Sequence, residues 1–240
     1  MNAELALVVA AVLLGAGTQR ITGMGFALMA SPFLVLVLGV DDGVGTSQVL
    51  TLVASVIVLA QLWRAVEWRK AALLFLAALV GIVPGAWLTR QLSAPVLAIL
   101  IGGLVIVALT AVLADERARV FTGTAGGASA GFLSGFMNVT AGVGGPPIVL
   151  YRLSTDWPHV PYVATVQVYF IGLNTASLAA RGRPDLDGST WLAVLAALIG
   201  GLVIGDQLAK HVTDAQARMM IIVVALGGAI STVVKGIVGL

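Results

Sequence analysis

The chain has 240 residues, 59% of them hydrophobic and 10% charged, with a mean hydropathy of +1.05, a formal net charge of +2 and no cysteine. A soluble domain carries about 25% charged residues, and a globule of this size has too little interior to hide so much apolar surface. A water-soluble domain is therefore excluded and a polytopic membrane protein implied. The lack of cysteine excludes disulfides, thiol catalysis and thiolate metal sites. The basic residues lie between apolar runs and form no block, which argues against a nucleic-acid partner.

In chain order, "MNAELALVV" lacks the basic n-region of a cleaved signal peptide and reads as the start of the first membrane segment. From residue 5 to 40 the only charge is Arg20. One helix over that run would be about 54 Å long at about 1.5 Å per residue, far beyond a hydrocarbon core of about 30 Å. The sequence "TGMG" at 22–25 interrupts it, so the run is predicted to be two short helices joined at a break. Residues 44–63, 71–89 and 94–114 then each read as a full span. The uncharged run 120–151 repeats the excess length and is interrupted by "AGVGGPP" at 141–147. Three more spans follow at 160–180, 188–208 and 215–236. Strand-type alternation is absent, so the predicted fold is an all-α polytopic membrane protein. Irregular backbone at membrane depth is tolerated only where it is buried in protein or lines a wet cavity, which marks both breaks.

The two broken runs are related. At an offset of 119, Gln19 meets Asn138, Gly23 meets Gly142, Gly25 meets Gly144, Thr46 meets Thr165 and Gln48 meets Gln167. After one inserted residue the offset becomes 120: Gly85 meets Gly205, Leu88 meets Leu208, Arg90 meets Lys210 and Ser93 meets Thr213. The rare polar pairs carry this repeat, and half-chain repeats are a transporter architecture. The predicted units are a first membrane repeat at 1–114, a cytoplasmic linker at 115–121 and a second repeat at 122–240. Each holds a broken or re-entrant helix pair plus three transmembrane helices.

An odd number of crossings per unit makes the repeats inverted, and charge offers a check. The most basic loop, "RAVEWRK" at 64–70, belongs in the cytoplasm. Propagating from it puts Arg64, Arg69, Lys70, Arg117, Arg119, Arg152, Lys210 and Arg218 inside, against Arg90, Arg181, Arg183 and Lys235 outside. Both termini are then extracytoplasmic, in a prokaryotic inner membrane.

The "GxG" break, "GTSQ" at 45–48 heading the next span, and the second copy "NVTAGVGGPPIVLY" at 138–151 resemble the TauE/SafE family, the sulfite exporters and toluene-sulfonate uptake permeases. The resemblance covers essentially the whole chain. It implies a membrane transporter, not an enzyme, for a small sulfur-containing anion such as sulfite, thiosulfate or an organosulfonate, with no cofactor and no metal. The first copy departs from the family's glycine cluster, with Phe26 and Ala27 where further glycine is expected.

Candidate substrate-binding residues follow. Arg20 is a mid-run charge with no Asp or Glu lying mid-span to pair with it. An intramembrane charge is costly and marks a functional site, and a guanidinium suits an oxyanion; snorkelling, or binding carbonyls at a helix C-terminus, is the bland alternative. Around it lie Thr22, Gly23, Met24 and Gly25, matched in the second copy by Asn138, Thr140, Gly142, Gly144 and Gly145. The returning arms begin near Met24 and Gly145, where free N–H groups favour an anion, and Pro146 and Pro147 suit a first helical turn. Thr46, Ser47, Gln48, Thr165 and Gln167 offer hydrogen bonds to sulfonate oxygens or across helices. Tyr169 and Asn174 are weaker candidates. "GTAGGASAG" at 123–131 reads as close helix packing. His159 and His211 have no metal-ligand company, and the tryptophans read as interface anchors, Trp157 also as a cover for a cavity. A secondary carrier with alternating access is the leading expectation, a passive anion channel the alternative. The expected surroundings are a lipid bilayer, and homo-oligomerisation is left open.

Overall fold

The computed structural model describes residues 3–22, 26–114, 121–208 and 214–240. These residues form ten α-helices and no strand: α1 (Ala3–Thr22), α2 (Phe26–Leu38), α3 (Val40–Leu62), α4 (Trp68–Gln91), α5 (Ala94–Ala114), α6 (Gly123–Ala141), α7 (Gly145–Ser154), α8 (His159–Arg181), α9 (Gly188–Leu208) and α10 (Asp214–Val238). The six predicted full spans coincide with α3, α4, α5, α8, α9 and α10. Among the described residues, α3, α4, α8 and α9 are long and apolar enough to cross a membrane. The outer face of α4 stays apolar, with Leu76, Val80 and Val83 exposed, as do Leu192, Ile199 and Val203 on α9. Such faces suit contact with lipid chains.

The helices end and begin on either side of both glycine stretches, at Thr22 and Phe26 and at Ala141 and Gly145, but only the second arms are short. The first arms have 20 and 19 residues, the second 13 and 10. The expectation of two short helices is corrected for α1 and α6, each about 30 Å long at about 1.5 Å per residue. In α6 the small residues do not interrupt the helix, because they are where another helix packs. It runs on until Gly142, whose φ of 69° ends it in a left-handed cap with its N–H on the Asn138 carbonyl. Then α7 turns back along α6: the Ser134 hydroxyl bonds the Gly144 carbonyl, Gly127 sits against Tyr151, and the Phe121 N–H bonds Ser154 Oγ at 3.2 Å. Likewise α2 returns beside α1, placing Phe26 and Ala30 against Gly15.

The helices pair across the midpoint of the chain. α6 packs chiefly on α4, α1 on α9, α5 on α10 and α3 on α8. Exchanging the two halves maps this set onto itself. One contact recurs in detail. A methyl group on Gly81 of α4 would lie 2.0 Å from the Phe132 carbonyl of α6, and one on Gly201 of α9 would lie 2.4 Å from the Leu13 carbonyl of α1. Gly81 and Gly201 are related by the 120 offset, Leu13 and Phe132 by the 119 offset. Small residues thus let backbones touch, which is how helices associate in lipid. The predicted packing role of 123–131 fits Gly131, which meets the Leu74 carbonyl.

Direction can be read from the same contacts. Arg181 at the end of α8 reaches Val40 at the start of α3, while Thr165 near the start of α8 meets Glu67 just beyond α3. α3 and α8 are therefore antiparallel. So are α5 and α10, since Gly102 meets Ala229 while Gly236 meets Pro95.

Candidate functional site

The two breaks converge on one small buried cavity. Gln19 from the last turn of α1 and Asn138 from the last turn of α6 line it, together with Ala27 of α2 and Gly144 and Gly145 at the head of α7. Thr51 of α3 and Phe170 of α8 complete it. Gln19 and Asn138 are equivalent under the 119 offset, and so are Thr51 and Phe170. The cavity thus takes two pairs of its lining residues from positions related by the 119 offset. Its volume of about 10 Å³ holds about one water.

The second break is the better furnished. Asn138 is 2% exposed, and its Nδ2 donates to Asn174 Oδ1 at 3.1 Å and to Ser177 Oγ at 3.0 Å. Tyr169 donates its hydroxyl to Ser134 Oγ at 2.7 Å, and Ser134 in turn donates to the Gly144 carbonyl. Ser134, Asn174 and Ser177 belong to this network, although the sequence singles out none of them strongly. The signal was there in the spacing, since 134 and 138 share a face of α6 and 174 and 177 a face of α8. The α7 terminus carries Pro146 and Pro147 in its first turn. They fit there without strain but remove two N–H donors, so an anion at that end relies on the helix dipole, glycine access and neighbouring side chains.

The carbonyls at the end of α6 are capped from other helices. Gln48 Nε2 donates to the Asn138 carbonyl at 2.7 Å, Arg181 Nη1 to the Val139 carbonyl at 3.0 Å, and Ser31 Oγ to the Ala141 carbonyl at 2.7 Å. Val139 stands at the offset position of Arg20, and a cation nonetheless reaches the second break through Arg181. Arg181 was counted among outer-loop charges by sequence; its side chain is only 5% exposed.

The predicted residues are dispersed around this centre. Asn138, Gly144 and Gly145 line the cavity, and Gln48 and Gly142 adjoin it through the Asn138 carbonyl. Thr46 and Ser47 are fully buried, and their hydroxyls have no hydrogen-bond partner among the described residues; Ser47 lies beside Gly142. Thr140 bonds back to Phe136 of its own helix. Thr165 lies toward the far end, bonded to the Glu67 N–H and the Pro161 carbonyl, and Gln167 Nε2 donates to the Val163 carbonyl at 3.2 Å. Gly23, Met24 and Gly25, and the side chains of Arg20 and Thr22, lie outside the described residues.

The arrangement is a polar centre between two helix breaks inside a multi-pass helical protein. No curated protein and no solved structure matches the chain. The family model of the sulfite exporter TauE/SafE matches residues 7–232, nearly the whole chain, so the protein belongs to this family of membrane transporters of sulfur anions.

Proposed function

We propose that the protein is a secondary carrier for a small sulfur-containing anion such as sulfite, thiosulfate or an organosulfonate, working by alternating access between two inverted halves. The halves are residues 1–114 and 122–240, joined by a cytoplasmic linker at 115–121, in a prokaryotic inner membrane with both termini extracytoplasmic. The observation that carries this reading is the cavity between the helix ends flanking the two breaks, whose lining includes two pairs of equivalent residues, Gln19 with Asn138 and Thr51 with Phe170. The antiparallel course of equivalent helices, α3 with α8 and α5 with α10, supports inversion, because a two-fold axis in the membrane plane reverses each helix it maps.

A sulfur oxyanion is larger than the water-sized space between the breaks. Passage therefore requires the halves to part, which favours a carrier over a static pore. Arg20, one residue beyond Gln19, supplies the fixed positive charge, and Thr22, Gly23, Met24 and Gly25 shape its half of the site. Asn138, Thr140, Gly142, Gly144 and Gly145 shape the other. On α3, Thr46 Oγ1, Ser47 Oγ, Gln48 Oε1 and Ser55 Oγ are buried without a partner among the described residues. An unmet buried polar group costs about 1–3 kcal/mol, and the three hydroxyls can donate to substrate oxygens as the halves move. Thr165 and Gln167 serve the equivalent stretch of α8.

Counterflow in proteoliposomes tests the proposal. Saturable exchange of labelled for unlabelled sulfite, thiosulfate, taurine or sulfoacetate is expected for at least one anion. Unsaturated, current-like flux without exchange would instead identify a passive anion channel of the same architecture.

A further inference from the structure

We propose that the antiparallel α3–α8 pair carries a polar latch at each end, and that these two latches are the carrier's opposite gates. The inference rests on the carrier reading above. At one end, Arg181 of the second half donates to Asp41 Oδ1 at 2.8 Å and to the Val40 carbonyl at 3.3 Å, both in the first half. The neighbouring Asp42 Oδ1 accepts the Asp185 N–H at 2.9 Å, and Pro184 packs on Gly45. Arg90 of α4 adds a bond to the Ala180 carbonyl at 3.1 Å. These contacts tie the start of α3 to the end of α8 and to the segment that follows it.

At the other end, Glu67 of the first half accepts the Trp157 indole N–H at 3.0 Å, and its own N–H bonds Thr165 Oγ1 at 2.9 Å. Lys70 pairs with Glu67 at 2.8 Å and lies over the Trp157 ring, 4.3 Å from its centroid. Trp157 is 3% exposed and packs edge-on against Tyr151 and Tyr162. It is a plug on the α7–α8 connection, held by the α3–α4 connection of the opposite half.

The central cavity lies between these ends, and both latches are closed around it. In an antiparallel pair, rocking one end apart leaves the other end in register. A contact made across the halves only when its end is shut biases that end alone. Asp41 and Glu67 are thus positioning residues: they hold the halves without touching the cavity. The Asp41–Arg181 latch has a second effect. Arg181 also caps the Val139 carbonyl beside the break, so opening this end frees guanidinium donors next to the site.

The chain has no native cysteine, so a single Thr51→Cys reports on the cavity. Its labelling by a membrane-impermeant methanethiosulfonate is measured from each face, in right-side-out and inverted vesicles. Asp41→Ala is expected to speed labelling about twofold to fivefold from the Asp41 face only, the size of one ion pair with an exposed partner. Asp41→Glu restores the slow rate. Glu67→Ala and Trp157→Phe, which each remove the indole-to-carboxylate bond across the halves, are expected to speed labelling from the Glu67 face only. The Asp41 side chain is 87% exposed, so Asp41→Ala preserves folding, and Trp157→Phe removes the indole N–H and the pyrrole ring but keeps an aromatic ring in the plug; an unchanged melting temperature confirms that each variant is folded. Equal acceleration from both faces, or from neither, overturns the latches. Absence of counterflow in the unaltered protein overturns the carrier reading without altering the labelling result, so the two failures are distinguishable.

Discussion

The tightest test of the packing is a single methyl group on Gly81. An ideal Cβ there lies 2.0 Å from the Phe132 carbonyl oxygen, against about 3.4 Å for an ordinary contact. The shortfall of about 1.4 Å falls on backbone, so no side-chain rotation relieves it and α4 must move away from α6. Overpacking costs about 1–3 kcal/mol, and an obstacle made of backbone belongs at the top of that range. Alanine recovers about 1 kcal/mol of helix propensity over glycine. Gly81→Ala is therefore expected to be about 2 kcal/mol less stable than the unaltered protein. Gly103 and Gly200 are also helical, but a methyl there meets nothing within 4 Å. Gly103→Ala and Gly200→Ala are expected to be neutral or up to about 1 kcal/mol more stable. Reversible unfolding in mixed detergent micelles, followed by tryptophan fluorescence, measures all three. Gly201→Ala should match Gly81→Ala, because the Leu13 carbonyl stands in the equivalent place. If Gly81→Ala and Gly103→Ala agree within about 0.5 kcal/mol, which is the scatter of surface changes, the close α4–α6 approach is wrong.

Three further outcomes are expected. Arg20→Ala protein that keeps its melting temperature loses at least about tenfold in anion exchange, the scale of one charge-assisted hydrogen bond; normal exchange would remove Arg20 from the site. Gln48→Leu deprives the buried Asn138 carbonyl of one of its two donors, the other being the Gly142 N–H. A cost near about 1 kcal/mol is expected, readable as a lower unfolding midpoint, and an unchanged midpoint would deny that bond any weight. At Glu67, partial burial raises the carboxyl pKa, but hydrogen bonds from Lys70 and Trp157 and the Lys70 charge outweigh it and hold the group below its ordinary value. A depressed carboxylate stabilises above its unfolded pKa, and that stability is lost as pH falls through the folded value. The stability gap between the unaltered protein and Glu67→Gln should therefore be full at neutral pH and shrink below the ordinary carboxylate range; a gap that grows on acidification contradicts the sign.

The sequence by itself determined which segments are helices and where two of them break. Roughly 20 apolar residues are needed to cross a bilayer, so six spans could be read within a few residues of α3, α4, α5, α8, α9 and α10. A run too long for one span must interrupt itself, and glycine marked the place, as Gly142 does with its positive φ. The repeat was legible because Gln19 with Asn138, and Gln48 with Gln167, are rare polar residues in an apolar chain. What the sequence missed was partnership. It took the first arms as short, because each over-long run was divided near its middle, whereas α1 and α6 reach 20 and 19 residues. The 119 offset pairs Thr165 with Thr46 and Gln167 with Gln48, but α3 and α8 run in opposite directions, so Thr165 lies beside Glu67 and Gln48 beside Asn138, toward opposite ends of the pair. Arg181 read as a loop charge, and only the meeting of α3, α6 and α8 makes it a buried cap beside the second break. Hydropathy and glycine act along the chain and can be read along it. Contacts between residues about 90 to 140 positions apart, such as Glu67 with Trp157 and Asp41 with Arg181, depend on which helices touch and in which direction they run, and the tertiary structure alone decides that.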